Sequence, residues 1–146
     1  MTELEWRRIR VDWEELEEAF ADSSTEHRYY FDRETGAVHF FSSYLDNDEE
    51  EEDERAITSE KRYVLIPHTK RLVPFHELRE FVATLEREPD RHALESTLRA
   101  PEGYFRFEDA IAGLPLVQSA WRRFCQERMF ARIKSWLADV SVEPLD

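Results

Sequence analysis

A chain of 146 residues, 41% apolar and 13% aromatic, is the size of one domain, buries a core without disulfide or metal staples, and is too aromatic for a disordered segment. Its net charge of −13 argues against a basic nucleic-acid face and against anionic membrane surfaces. Cys125 is the only cysteine, which excludes an internal disulfide, and with no apolar leader or spanning run the expected compartment is the cytosol.

Residues 1–10 read as strand or loop. Asp12-Trp13-Glu14-Glu15 is a capping-box start, and its acidic first turn suits the helix dipole. Trp13, Leu16 and Phe20 share one side of a helix running to about Ala21, which Asp22-Ser23-Ser24 ends. A β-hairpin follows, with arms Glu26 to Phe31 and Val38 to Phe41. In its turn Asp32 bonds its own backbone and Gly36 supplies the positive φ. Aromatics on both faces predict a hairpin covered on both sides.

Asp46 to Glu54 holds eight acids, with Arg55 directly behind it. Residues 46–55 therefore carry −7 and leave −6 on the remainder. Like charges repel and there is little to bury, so about 45–60 reads as an acidic mobile loop. Arg62 to Ile66, stopped by Pro67, is a third strand for the hairpin.

The remainder is helical. Phe75, Leu78, Val82 and Leu85 line one face of a helix from about Pro74 to Arg87. Pro89-Asp90 starts a short helix through Leu98, and Pro101-Glu102-Gly103 turns the chain. Another short helix spans Tyr104 to Ala112, closed by Gly113, and a long one covers roughly Leu116 to Asp139. The expected fold is α+β: a single domain with a small antiparallel sheet of about three strands packed against four to five helices.

Several stretches together resemble Uncharacterised Protein Family 0158, a bacterial family. They are the Asp12 helix start, Glu26 to Asp32 with Thr35-Gly36, and Arg62-Tyr63-Val64 with Ile66-Pro67. Phe105-Arg106-Phe107-Glu108-Asp109 and the Trp121, Phe124, Arg128, Trp136-Leu137 series complete the set, in order, over most of residues 10–140. The resemblance implies a single cytosolic domain and brings no activity, ligand or catalytic residue. It also makes the acidic run look like a loop insertion.

Motifs for hydrolases, phosphate loops and dinucleotide binding are absent, and three scattered glycines make no phosphate cradle. His76-Glu77 opens like a zinc helix, but Glu80 stands where the second histidine belongs. His68 and His76 lack a third ligand, so neither a metal nor a cofactor is expected. Cys125 falls on an apolar helix side and reads as structural.

The last helix departs from the ordinary pattern. With Trp121 at 0° and about 100° per residue, Val117, Phe124, Cys125, Met129 and Trp136 make one apolar arc. Arg128 at about 340° and Arg132 at about 20° fall inside it. A buried guanidinium needs a partner. Three arrangements supply one: core acids such as Asp109, Glu108 or Asp32, stems lying along apolar surface with the heads in water, or a pocket for an anion. Five basic residues and one acid lie between 121 and 136, and Arg106 sits between Phe105 and Phe107. The candidate anion site is thus Arg106, Arg128 and Arg132, with Tyr29, Tyr30 and Trp121 as candidate partner contacts.

The functional expectation is a small binding or regulatory module without catalysis. It would use the aromatic hairpin and the Arg-rich last helix against a protein or a small anionic ligand, with no direct nucleic-acid or membrane partner. The alternative is an enzyme for a phosphorylated or nucleotide-like substrate, with Asp32, Asp109 or a histidine as base. A third reading is a nucleic-acid mimic built on the acidic run.

Overall fold

The computed structural model describes residues 5–43, 48–68 and 74–145. The elements, in chain order, are β1 Arg7–Arg10, α1 Trp13–Ala21, β2 His27–Asp32, β3 Val38–Ser42, α2 Asp48–Thr58, β4 Tyr63–Leu65, α3 Phe75–Ala83, α4 Glu88–Arg99, α5 Gly103–Ala112, α6 Pro115–Asp139 and β5 Val142–Leu145. The α+β class and the three-stranded antiparallel sheet, in order β3-β2-β4, agree with the sequence reading. The chain divides into two compact units, one from Met1–Arg71 with Met129–Asp146, the other Leu72–Arg128.

In the first unit, Asp12 caps α1 by accepting from the Glu15 N–H at 3.2 Å. Leu16, Ala19 and Phe20 of α1, Phe31 of β2, and Ile133 and Leu137 of α6 share one core with Val142. The hairpin turn closes as Gly36 N–H donates to the Asp32 carbonyl at 2.8 Å, with Gly36 at φ 80°. A side chain there would meet the Arg10 carbonyl oxygen 2.2 Å from its Cβ. In the register, Phe31 stands opposite Val38 and Val64, and Tyr30 opposite His39 and Leu65.

The C-terminal strand has no counterpart in the expected elements. β5 pairs in parallel with β1, and Pro144 is tolerated because a two-stranded ribbon is all edge. The acidic stretch is also different from expectation, since 48–58 is helix α2 and not a loop. Repulsion along the run is offset in part by one ion pair and by hydrogen bonds to the sheet, described below. Residues 45–47 of that stretch lie outside the described residues.

The second unit is helical. Leu78, Phe81 and Val82 of α3, Leu94 and Leu98 of α4, Phe107 and Ile111 of α5, and Val117 and Trp121 of α6 form its core. Phe81 and Phe107 each meet Trp121 edge-on, at 5.0 and 5.1 Å between ring centres. α4 and α5 approach closely, because a Cβ on Gly103 would lie 1.9 Å from the Thr97 carbonyl oxygen.

Candidate functional site

The arginines of the predicted anion site, Arg106, Arg128 and Arg132, are surface residues, which corrects the placement of Arg128 and Arg132 on a buried face. Arg106 of α5 reaches Glu102 one turn back, at 3.8 Å. Arg128 pairs with Glu80 of α3, and its guanidinium lies 4.8 Å from the Phe124 ring centre. That is a cation–π contact completed by a surface acid, so none of the three expected arrangements describes it fully. Arg106 and Arg128 belong to the second unit and Arg132 to the first. Trp121 is only 7% exposed, so it packs a core and is closed to direct contact with a partner.

The helical wheel misplaced Arg128 and Arg132 for a physical reason. α6 buries Val117 and Trp121 near its start but Ile133 and Leu137 near its end. At about 100° per residue the second pair lies some 120–160° round from Trp121. A helix serving two cores on different faces has no single apolar arc, and the two arginines fall past the end of the first stripe.

The buried arginine is Arg33, just after β2. It is 5% exposed and donates to the carbonyls of Val140, at 2.9 Å, and Glu5. Burial, with Arg7 nearby, depresses its pKa. Beside it Asp32 is a structural node. Its carboxylate accepts from Arg62 Nε at 3.0 Å and Nη2 at 2.6 Å, from the Glu34 N–H, and from the Thr35 hydroxyl. Burial pushes the carboxyl up, but those donors outweigh it and hold it at about 2.

The two candidate tyrosines face opposite sides of the sheet. Tyr29 packs against the first core, and its hydroxyl donates to Asp22 at 2.6 Å. Burial and that carboxylate push Tyr29 up to about 12. Tyr30 lies on the other face, 7% exposed, with Arg28 two residues away on the same side.

There α2 lies against the sheet, chiefly through one carboxylate. Glu54 accepts from Arg28 Nε at 2.5 Å and Nη2 at 2.8 Å, and from the Tyr30 hydroxyl at 2.7 Å. Arg28 also donates to the Ser43 hydroxyl at 2.7 Å, and the Ser42 N–H meets Glu50 at 3.4 Å. Hydrogen bonding to Arg28 lowers the Glu54 pKa, while burial beside Glu54 raises Tyr30 to about 12. Phe41 meets Tyr30 edge-on at 5.7 Å, and His39 meets Tyr63 at 5.5 Å. The result is a basic and aromatic sheet face that holds an acidic helix. Sequence reasoning missed Arg28 and Glu54. The available signal was Arg28 and Tyr30 at strand spacing i, i+2, with Glu54 and Ile57 at i, i+3 as the one mixed face of an otherwise acidic helix.

Among the described residues, no three His, Cys, Asp or Glu side chains come together as a metal site, and no helix is long and apolar enough to cross a membrane. A family model described as "Uncharacterised protein family (UPF0158)" matches residues 7–145. Neither the curated proteins nor the solved structures contain a match.

Proposed function

The chain belongs to that uncharacterised family, whose model spans nearly all of it, and from this premise we propose that it is a non-catalytic binding module for an acidic segment of a partner protein. The partner takes the sheet face bearing Arg28 and Tyr30, now held by the module's own α2. The observation that supports this reading is the Glu54 anchor, a bidentate arginine–carboxylate pair completed by a tyrosine hydroxyl.

Helix α2 is a weak occupant. Its 11 residues are short for a stable helix, and Glu49–Asp53 and Glu50–Glu54 are like-charge pairs one turn apart. Arg55 with Glu51, at 3.6 Å, is the favourable pair within it. The helix therefore depends on the sheet, and a competitor with a similar carboxylate displaces it once it overcomes the high local concentration of a tethered segment.

The test uses a fluorescent peptide with the sequence of residues 48–58 as the trans probe. Glu54→Gln loosens the internal anchor while the peptide keeps its own carboxylate. This variant binds the peptide, wild type binds it at least tenfold more weakly, and adding Arg28→Gln to the variant abolishes binding. A folded Glu54→Gln protein that ignores the peptide, or binding that survives Arg28→Gln, overturns the proposal.

A further inference from the structure

The helical unit carries a groove of its own, lined by two of its helices. On α3, Phe75, Arg79, Val82 and Ala83 recur at i, i+4, i+7 and i+8 and so share one side of the helix. On α4, Glu95, Leu98 and Arg99 do the same at i, i+3 and i+4. These two stripes line a single open groove of about 540 Å³. Val82 and Leu98 are buried and make its floor, and Phe75, 43% exposed, stands at its rim.

The polar members of the groove are unequal. Arg79 and Arg99 are exposed, and neither guanidinium has an ion pair or side-chain hydrogen bond among the described residues. Most other arginines of this unit are engaged: Arg87 with Asp90, Arg91 with Glu88, Arg106 with Glu102, Arg128 with Glu80. Glu95 already has neighbours on its own helix, the Arg91 guanidinium and the His92 ring, both at 3.9 Å. On a protein of net charge −13, two uncommitted guanidinium groups beside an apolar floor are a local reversal of sign.

We propose that the groove between α3 and α4 binds a small anionic amphiphile, its apolar body on Val82, Leu98 and Phe75 and its carboxylate or similar head between Arg79 and Arg99. The volume falls within the range of small-ligand pockets, which are mostly apolar with a few placed polar groups. The guanidinium fork matches a planar carboxylate, and an apolar floor at its side strengthens that pairing by excluding water. A neutral amphiphile satisfies the floor and leaves both arginines without a partner, so the head group sets the preference.

The experiment is calorimetric titration of the whole chain with decanoate, below its micellar concentration, alongside decan-1-ol. Wild type is expected to prefer decanoate by about tenfold or more. Arg79→Gln with Arg99→Gln removes that preference and leaves decan-1-ol binding in place. Ala83→Trp fills the groove and abolishes both, while Arg123→Gln, an exposed arginine outside the groove, changes neither. Equal affinity for the acid and the alcohol overturns the proposal. So does a double variant that behaves as wild type, an equal loss in Arg123→Gln, or a groove that ignores decanoate and takes an amphipathic peptide. Each readout is separate from the peptide assay of the sheet face, so either site can fail alone.

Discussion

Asp32 is the point where the fold of the sheet is most exposed to a single change. Asp32→Asn keeps the side chain's shape but leaves one carbonyl oxygen, which can accept from the Glu34 N–H or from the Thr35 hydroxyl and not from both, since they donate to different oxygens of the carboxylate. It removes the charge that faces the two Arg62 donors. The carboxyl is lowered from 3.8 to about 2, which corresponds to about 2 kcal/mol of stability at neutral pH. Arg62 is itself 31% exposed in its side chain, so water reclaims it and the cost stays below that of stranding a fully buried ion. The sign follows from the direction of the shift. A depressed carboxylate stabilises fully above its unfolded value of 3.8, and that contribution is lost as pH falls from 3.8 through about 2. Urea unfolding of wild type and Asp32→Asn at several pH values measures it. A gap of about 2 kcal/mol at pH 7 should narrow to about half by pH 3. Asp22, also held at about 2, titrates alike in both proteins and cancels. A variant within about 0.5 kcal/mol of wild type at pH 7, or a gap independent of pH, refutes the reasoning.

Three further outcomes can be checked. Gly103→Ala pushes a methyl group against backbone at the α4–α5 crossing and should cost about 2 kcal/mol or more by thermal unfolding, with no relief from side-chain movement. Phe107→Ala, at a position 1% exposed in the second core, should cost about 3–5 kcal/mol in the same assay. Ultraviolet titration should show Tyr29 ionising near 12, and Asp22→Asn should bring it down toward the ordinary tyrosine value because the Asp22 charge is removed, leaving burial and the Glu18 charge.

Local chemistry was the legible part of this chain. The Asp12 cap, the Asp32-to-Gly36 turn and the Phe75 periodicity each specify their element within a few residues, and the structure places helix or turn at all three. What composition misread was the acidic stretch. Glu54 and Ile57 give it one mixed face, but the groups that meet Glu54, Arg28 and Tyr30, lie 26 and 24 residues away, and nothing in 48–58 says which they are. The same holds for β5, whose strand partner β1 is at the opposite end of the chain. A wheel averages over a whole helix, which is why Arg128 and Arg132 of α6 read as a buried pair. Arg79 and Arg99 carry no signal of their own, and they become a pair only when α3 packs on α4.

Arg33 offers the sharpest test of how the first unit is tied together. Replacing a whole buried ion pair by apolar side chains is often neutral, but removing one member of a bonded set leaves its partners unsatisfied. Here the guanidinium donates to the carbonyl of Val140, which directly follows α6 and sits at the negative end of that helix, and to the carbonyl of Glu5, just before β1. It therefore joins the hairpin turn to both segments that lead into the β1–β5 ribbon. Arg33→Met removes the cost of burying charge but leaves two carbonyls without this donor, each worth about 1–3 kcal/mol if water cannot reach it. The carbonyls should dominate, giving a net loss of about 1–2 kcal/mol in urea unfolding, with faster amide exchange along residues 7–10 and 142–145. A variant as stable as wild type would mean that the desolvation cost had balanced the bonds. The ribbon would then be held by its own ladder and the core beneath it, not by Arg33.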